Sequence, residues 1–163
     1  MKTIKIQPLS EKAFAPFGQY YNMVNPKGYS LNGEIHKFYP DRVVAYQGHN
    51  VGFSPLVVKK PESLVIERAE YHTTTCEVIM PLNDDMILHV APPSGGKPVP
   101  EQTVAFRVPK NTLVKLNACV WHLAPLPYKK DELTVLIVLP ECTYINDCTV
   151  VDFKEDEKFE IIY

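Results

Sequence analysis

Arg68-Ala69-Glu70-Tyr71-His72-Thr73-Thr74-Thr75-Cys76-Glu77-Val78-Ile79-Met80-Pro81 is the stretch on which the fold of this chain turns. Side chains of a strand alternate between its two faces, so Arg68, Glu70 and His72 project together, and an unbroken strand would continue that face with Thr74 and Cys76. Glu77 joins the set only if the chain turns in between. The small, polar run Thr73-Thr74-Thr75 is a place for that turn or bulge, after which Glu77, Ile79 and Pro81 face inward on a new strand. The spacing therefore predicts two short strands, out of phase with each other across a bend.

Outward from this segment, fifteen prolines and seven glycines cut the chain into short pieces rich in Val, Ile, Leu, Thr, Tyr and Phe, which is a β pattern. Strands are expected at 42–46, 51–58, 63–72, 76–81, 86–90, 103–108, 113–116, 133–139 and 149–153. Such short, regularly spaced strands argue for a sandwich or barrel. Leu133-Thr134-Val135-Leu136-Ile137-Val138-Leu139 is apolar on both faces and belongs in the middle of a sheet. One helix is expected, over 10–15, with Ser10 as its N-cap and Pro16 and Gly18 ending it. The turn-rich run 92–100 reads as a connection across the barrel, and the tail from Asp152 to Tyr163, which alternates charges with Phe153, Phe159 and Ile161, as a solvated edge strand.

A length of 163 residues predicts a single domain over 1–163, large enough to bury roughly 70% of its extended surface and to enclose a pocket. A formal charge of −2 leaves no electrostatic footprint for nucleic acid or anionic lipid, so the expected partner is a small molecule. The N-terminal Met1-Lys2-Thr3-Ile4-Lys5-Ile6-Gln7 lacks the apolar core of a secretory leader, and the run 133–139 is too short to cross a bilayer, so no membrane association and a soluble, cytoplasmic protein are expected. Cys76, Cys119, Cys142 and Cys148 show no CxxC spacing, and reduced thiols are expected there.

Directing Arg68, Glu70, His72 and Glu77 into a barrel is costly unless the charges are paired, hydrogen-bonded or metal-bound. The alternative is that this face is the solvent side. Trp121-His122 bears on the choice, because it precedes Leu123-Ala124-Pro125-Leu126-Pro127 and follows an apolar strand, a context that argues against a surface position. Two imidazoles from distant strands with a carboxylate nearby are a donor set for Ni, Zn, Mn or Fe. His36, His49 and His89 receive no role.

These residues resemble the first and second motifs of the cupin superfamily, with Glu70 where a first histidine would stand, His72 at the second, Glu77 at the glutamate and His122 at the later histidine. A closer resemblance, over most of the chain, is to the ureidoglycolate lyase family. It is carried by Gln7-Pro8-Leu9-Ser10 with Ala13-Phe14 and Phe17-Gly18, by Glu70-Tyr71-His72 with Val78-Ile79-Met80-Pro81-Leu82, by Val120-Trp121-His122, and by Asn146-Asp147-Cys148-Thr149-Val150. The chain departs from that family's pattern at Leu123 and Asn117, where histidines are frequent, at Glu77, where glutamine is common, and at Leu139-Pro140-Glu141, which replaces an Asp-Arg pair.

The resemblance implies an all-β cupin double-stranded β-helix and a lyase of allantoin and purine catabolism that cleaves ureidoglycolate to glyoxylate and urea. It further implies a divalent metal (Ni, Mn or Zn) on His72, Glu77 and His122, with Glu70 as a fourth ligand or as base, and with Glu70, His72 and His122 as the catalytic residues. Arg68 and Trp121 are expected to bind substrate, Arg68 by a bidentate grip on a carboxylate, with Arg107 or Lys115 as alternatives. The assembly implied is a homodimer. Another metal-dependent cupin enzyme acting on a small carboxylate or sugar acid, and a non-catalytic cupin that binds a small molecule or serves as a structural dimer, stay open at this level.

Overall fold

A computed structural model describes residues 1–163. Its strands are β1 (Lys2–Pro8), β2 (Gly18–Asn22), β3 (Leu31–Asn32), β4 (Lys37–Phe38), β5 (Val51–Lys59), β6 (Val65–Ile66), β7 (Arg68–Tyr71), β8 (Glu77–Pro81), β9 (Met86–Val90), β10 (Val104–Val108), β11 (Thr112–Leu116), β12 (Leu126–Pro127), β13 (Glu132–Pro140), β14 (Thr149–Asp152) and β15 (Phe159–Ile162). The helices α1 (Glu11–Phe14) and α2 (Thr143–Asn146) are single turns. The fold is all-β and cupin-like, as expected. No helix is long and apolar enough to cross a membrane.

Two sheets face each other. One runs β2-β11-β8-β13-β5, the other β12-β9-β10-β1-β15-β6, and the β14-β7 ribbon lies beside them. The side chains between the sheets form the main core, with Phe14, Ile79, Leu88, Phe106, Val114, Leu116, Leu133 and Val135 at its centre. A second core, with Ile4, Ile66, Ile87, Trp121, Phe153, Phe159 and Ile161, lies on the opposite side of β9 and β10. β13 is flanked by β8 and β5, the central position that its two apolar faces demand. β5 is an edge, and it carries Pro55, whose missing N–H is tolerated there and not in a central strand. The helix forms where expected, with Ser10 Oγ accepting from the Ala13 N–H at 3.4 Å.

Two expectations are corrected. The segment 42–46 is not a strand, since it finds no ladder partner, and Val44 and Tyr46 are exposed. The C-terminal tail is not a solvated edge: β15 pairs in parallel with β1 and antiparallel with β6, and Phe159 and Ile161 are buried. Its alternation was the alternation of a strand with one core face, and the covering partner, β1 (Lys2–Pro8), comes from the other end of the chain, outside any local window. β1, β2, β3, β4 and β12 also go beyond the expected set, as does the second helix α2, and β2 pairs with β11.

Candidate metal centre

Glu70 on β7 and His122 sit directly opposite each other in an antiparallel bridge, with Glu70 N–H donating to His122 O at 2.7 Å and His122 N–H to Glu70 O at 2.9 Å. Residues paired in this way share a face, so two side chains distant in sequence become neighbours. Cys119, in the left-handed region at φ 65°, turns the chain toward that bridge, and its N–H donates to His72 O at 2.7 Å.

After His72 the chain bends at Thr73 and Thr74 and re-enters a strand at Glu77. The Asp147 carboxylate holds the bend: it accepts from Thr73 N–H at 2.7 Å, Thr74 N–H at 2.8 Å and the Thr74 hydroxyl at 2.6 Å. The change of phase demanded by the sequence is present, and it turns Glu77 to the same interior as Glu70 and His72.

His122 Nε2 lies 2.6 Å from Glu77 Oε2 and 3.9 Å from Glu70 Oε1, and His72 Nε2 lies 3.4 Å from the same Glu77 oxygen. One donor atom each from Glu70, His72 and His122 fall within 4.8 Å of one another. His72 Nδ1 meets Asp147 O at 2.7 Å and His122 Nδ1 meets Val120 O at 2.9 Å. A carbonyl only accepts, so each Nδ1 carries the hydrogen, and a neutral ring then aims its Nε2 lone pair at the cluster.

His72 Nε2, His122 Nε2 and Glu77 Oε2 are all buried and, despite their proximity, make no hydrogen bond of acceptable angle. Buried polar atoms of native proteins are normally satisfied, and orphans that converge on one point are what a cation would satisfy. Two imidazole nitrogens and two carboxylates fit a borderline divalent ion such as Zn, Ni or Mn.

The charges respond accordingly. Burial by itself would raise the Glu77 carboxyl, but the His122 and His72 imidazoles outweigh it and hold the group at about 2. Burial would lower the His122 imidazole, and contact with Glu77 instead lifts it above its ordinary value. Cys148 donates its thiol to Glu70 Oε2 at 3.4 Å, and burial together with the Glu70, Glu77 and Asp147 charges pushes that thiol up to about 12, so it remains a donor.

Not every residue singled out in the sequence reaches this place. Arg68 shares the parity of Glu70 but not its surroundings: its side chain is 57% exposed and paired with Asp152 at 3.1 Å across the β7–β14 ribbon. Trp121 adjoins His122 and therefore points to the opposite face, into the second core, where its indole N–H donates to Ser94 Oγ at 2.8 Å. Arg107 is paired with Asp85 at 2.6 Å, and Lys115 alternates with the inward Val114 and Leu116. The residues that sequence reasoning missed come from the α2–β14 segment. These are Asp147, Cys148 and Tyr144, whose ring stands edge-on to His72 with centroids 6.3 Å apart. Only the run Asn146-Asp147-Cys148 hinted at them.

The family model for ureidoglycolate lyase matches residues 1–160. Proteins named ureidoglycolate lyase are similar over nearly the whole length. One from Stutzerimonas stutzeri is 29% identical over 165 residues, covering 97% of this chain and 94% of that protein. Another, from Pseudomonas aeruginosa, is 30% identical over 162 residues, covering 97% and 95%. A third, from Azotobacter vinelandii, is 26% identical over 162 residues, covering 97% and 96%. With a match of that extent and a buried cluster assembled from the segments that carry the resemblance, the chain belongs to the ureidoglycolate lyase family.

Proposed function

We propose that this protein cleaves (S)-ureidoglycolate to glyoxylate and urea, a carbon–nitrogen lyase step of allantoin and purine catabolism. The observation that carries this reading is the buried cluster of Glu70, His72 and His122, with Glu77 in contact with both imidazoles and three of these atoms unsatisfied, in a member of this family. The reaction is a non-redox elimination. The substrate hydroxyl loses its proton, its oxygen becomes the carbonyl of glyoxylate as the carbon–nitrogen bond breaks, and the departing urea nitrogen takes up a proton.

A divalent ion held by His72, Glu77 and His122 would supply Lewis acidity to the hydroxy acid. Glu70 is the base. It is the most accessible of the four, 13% exposed against 3% for His122 and 5% for Glu77. It takes the hydroxyl proton and returns it to the leaving nitrogen, so one carboxyl closes the proton balance, a transfer worth about 10²- to 10⁴-fold. The Cys148 thiol fixes Glu70 Oε2 and leaves Oε1 turned to the cluster. His72 and His122, locked through Nδ1, keep the donor atoms in place between turnovers. Glyoxylate and urea release from ureidoglycolate, with Ni, Mn or Zn added to metal-stripped protein, tests the reading; no release from fully loaded protein overturns it.

The working assembly in this proposal is a cytoplasmic homodimer. Its support is the apolar edge β5, where Val51, Phe53 and Val57 are exposed. Four free cysteines suit a reducing compartment. Sedimentation velocity giving the mass of a single chain would count against the dimer.

A further inference from the structure

Beside the cluster, the inner faces of β5 and β13 open into a groove of about 320 Å³. Gly52, Ser54, Leu56, Ile137 and Leu139, side by side on one face of the sheet, form its floor, and Tyr144 stands at the end. The volume falls within the roughly 300–1,000 Å³ typical of small-molecule sites.

The groove adjoins the cluster, with Leu139 and Tyr144 between them. Leu139 pairs with Gly52 and Ile137 with Ser54. Ile137 also pairs with Ile79 of β8, and one step along that register sets Leu139 beside Glu77. Leu116 flanks Glu77 on the other side. Gly52, Leu139, Glu77 and Leu116 thus form one row across the inner face of the sheet. Tyr144 gives a second link, since it lines the groove and meets the His72 ring edge-on.

Charge decides what the groove can take. Its lining contains no Lys, Arg or His, and its one carboxylate is Glu141. A carboxylate moved there loses its water and gains no cation. The three cations that sequence reasoning offered as anchors, Arg68, Arg107 and Lys115, lie elsewhere. A bound hydroxy acid therefore has one favourable orientation, with its carboxylate and hydroxyl at the cluster and its remaining substituent along the groove.

Gly52 keeps that space open without any need of the backbone. Its φ is ordinary, and a Cβ built there would meet nothing nearer than the Leu139 carbonyl oxygen and Ser54 Oγ, each at 3.8 Å. A glycine inside a strand is destabilising relative to alanine, so a position that tolerates a side chain and lacks one points to the vacant space itself.

Resting on the function proposed above, we infer that this groove is the subsite for the uncharged, planar ureido group of the substrate, and that Gly52 sets the size of the group accepted. The substrate class is an α-hydroxy acid with a neutral, hydrogen-bonding substituent, for which the Ser54 and Tyr144 hydroxyls at the groove supply polar contacts; a second carboxylate is excluded.

The test is calorimetric titration of metal-loaded wild type and Gly52→Val with oxalurate, which carries a carboxylate and a ureido group, with glycolate, which lacks the ureido group, and with malate, which bears a second carboxylate in its place. The expected result is that wild type binds oxalurate at least tenfold more tightly than glycolate, and malate no more tightly than glycolate. Gly52→Val should keep its metal stoichiometry and its glycolate affinity and lose the oxalurate advantage. An unchanged oxalurate affinity in Gly52→Val, or malate binding as tightly as oxalurate in wild type, overturns the subsite. Ser54→Leu, read in the same way, decides the matter if Gly52→Val does not fold. Loaded wild type that binds oxalurate and glycolate equally sinks the subsite alone, whereas failure to release glyoxylate from ureidoglycolate sinks the function beneath it.

Discussion

His72 and His122 each spend one ring nitrogen on a backbone carbonyl and present the other to the cluster, so neither is a freely rotating side chain. Replacing either by alanine removes one of only two nitrogen donors. Both bound metal, measured by elemental analysis, and glyoxylate release should then fall to background, and full activity in either variant would rule out the centre. His89 makes the opposite case. It is buried with neither ring nitrogen hydrogen-bonded, and burial pushes it down to about 3. The unfolded chain binds a proton here near pH 6.5 and the folded one does not until about pH 3, so His89 makes the protein less stable as pH falls through that window. The slope it contributes is at most about 1.4 kcal/mol per pH unit. In His89→Leu that slope should vanish from urea unfolding measured between pH 6 and pH 4; an unaltered pH dependence would place the loss elsewhere.

The bend between β7 and β8 is the element that makes the site, and it is held from a distance. Asp147→Ala removes a carboxylate that accepts from Thr73 and Thr74, a loss of about 1.5–3 kcal/mol for hydrogen bonds to a charged group. The backbone carbonyl that orients His72 remains in that variant. Glu77 loses its fixed entry into β8, and metal affinity should fall by about 10- to 100-fold, as for other outer supports of a metal site. Chemical denaturation and metal titration of one preparation check both numbers, and unchanged metal affinity would show the bend to be self-supporting. At the other end of the chain, β15 is a core strand, and Phe159→Ala should cost about 3–5 kcal/mol in urea denaturation, the range for a fully buried phenylalanine. A cost below about 0.5 kcal/mol would restore the solvated edge read from the sequence.

For the molecule as a whole, the metal centre and the fold should be linked. An ion that binds the native chain and not the unfolded one, at a hundredfold excess over its dissociation constant, stabilises by about 2.7 kcal/mol. For a chain of this size that is a rise of roughly 5–10 °C in Tm, seen by scanning calorimetry on adding Ni, Mn or Zn and reversed by a chelator. No shift with any of the three would argue against a metal centre.

Local alternation and turn chemistry were enough to read most strands, the capped first helix, the central place of 133–139 and the required change of phase after His72, because those features depend on residues within a few positions of one another. Other features depended on which strands meet. The bridge that sets Glu70 against His122, the covering of Phe159 and Ile161 by the chain's opposite end, the commitment of Arg68 to Asp152, and the arrival of Asp147, Cys148 and Tyr144 over the cluster all follow from long-range pairing. Parity tells which side of a strand a side chain takes, whereas what lies on that side is fixed only when distant segments pack against it, and so the sequence by itself determined the donors while the tertiary structure decided their neighbours.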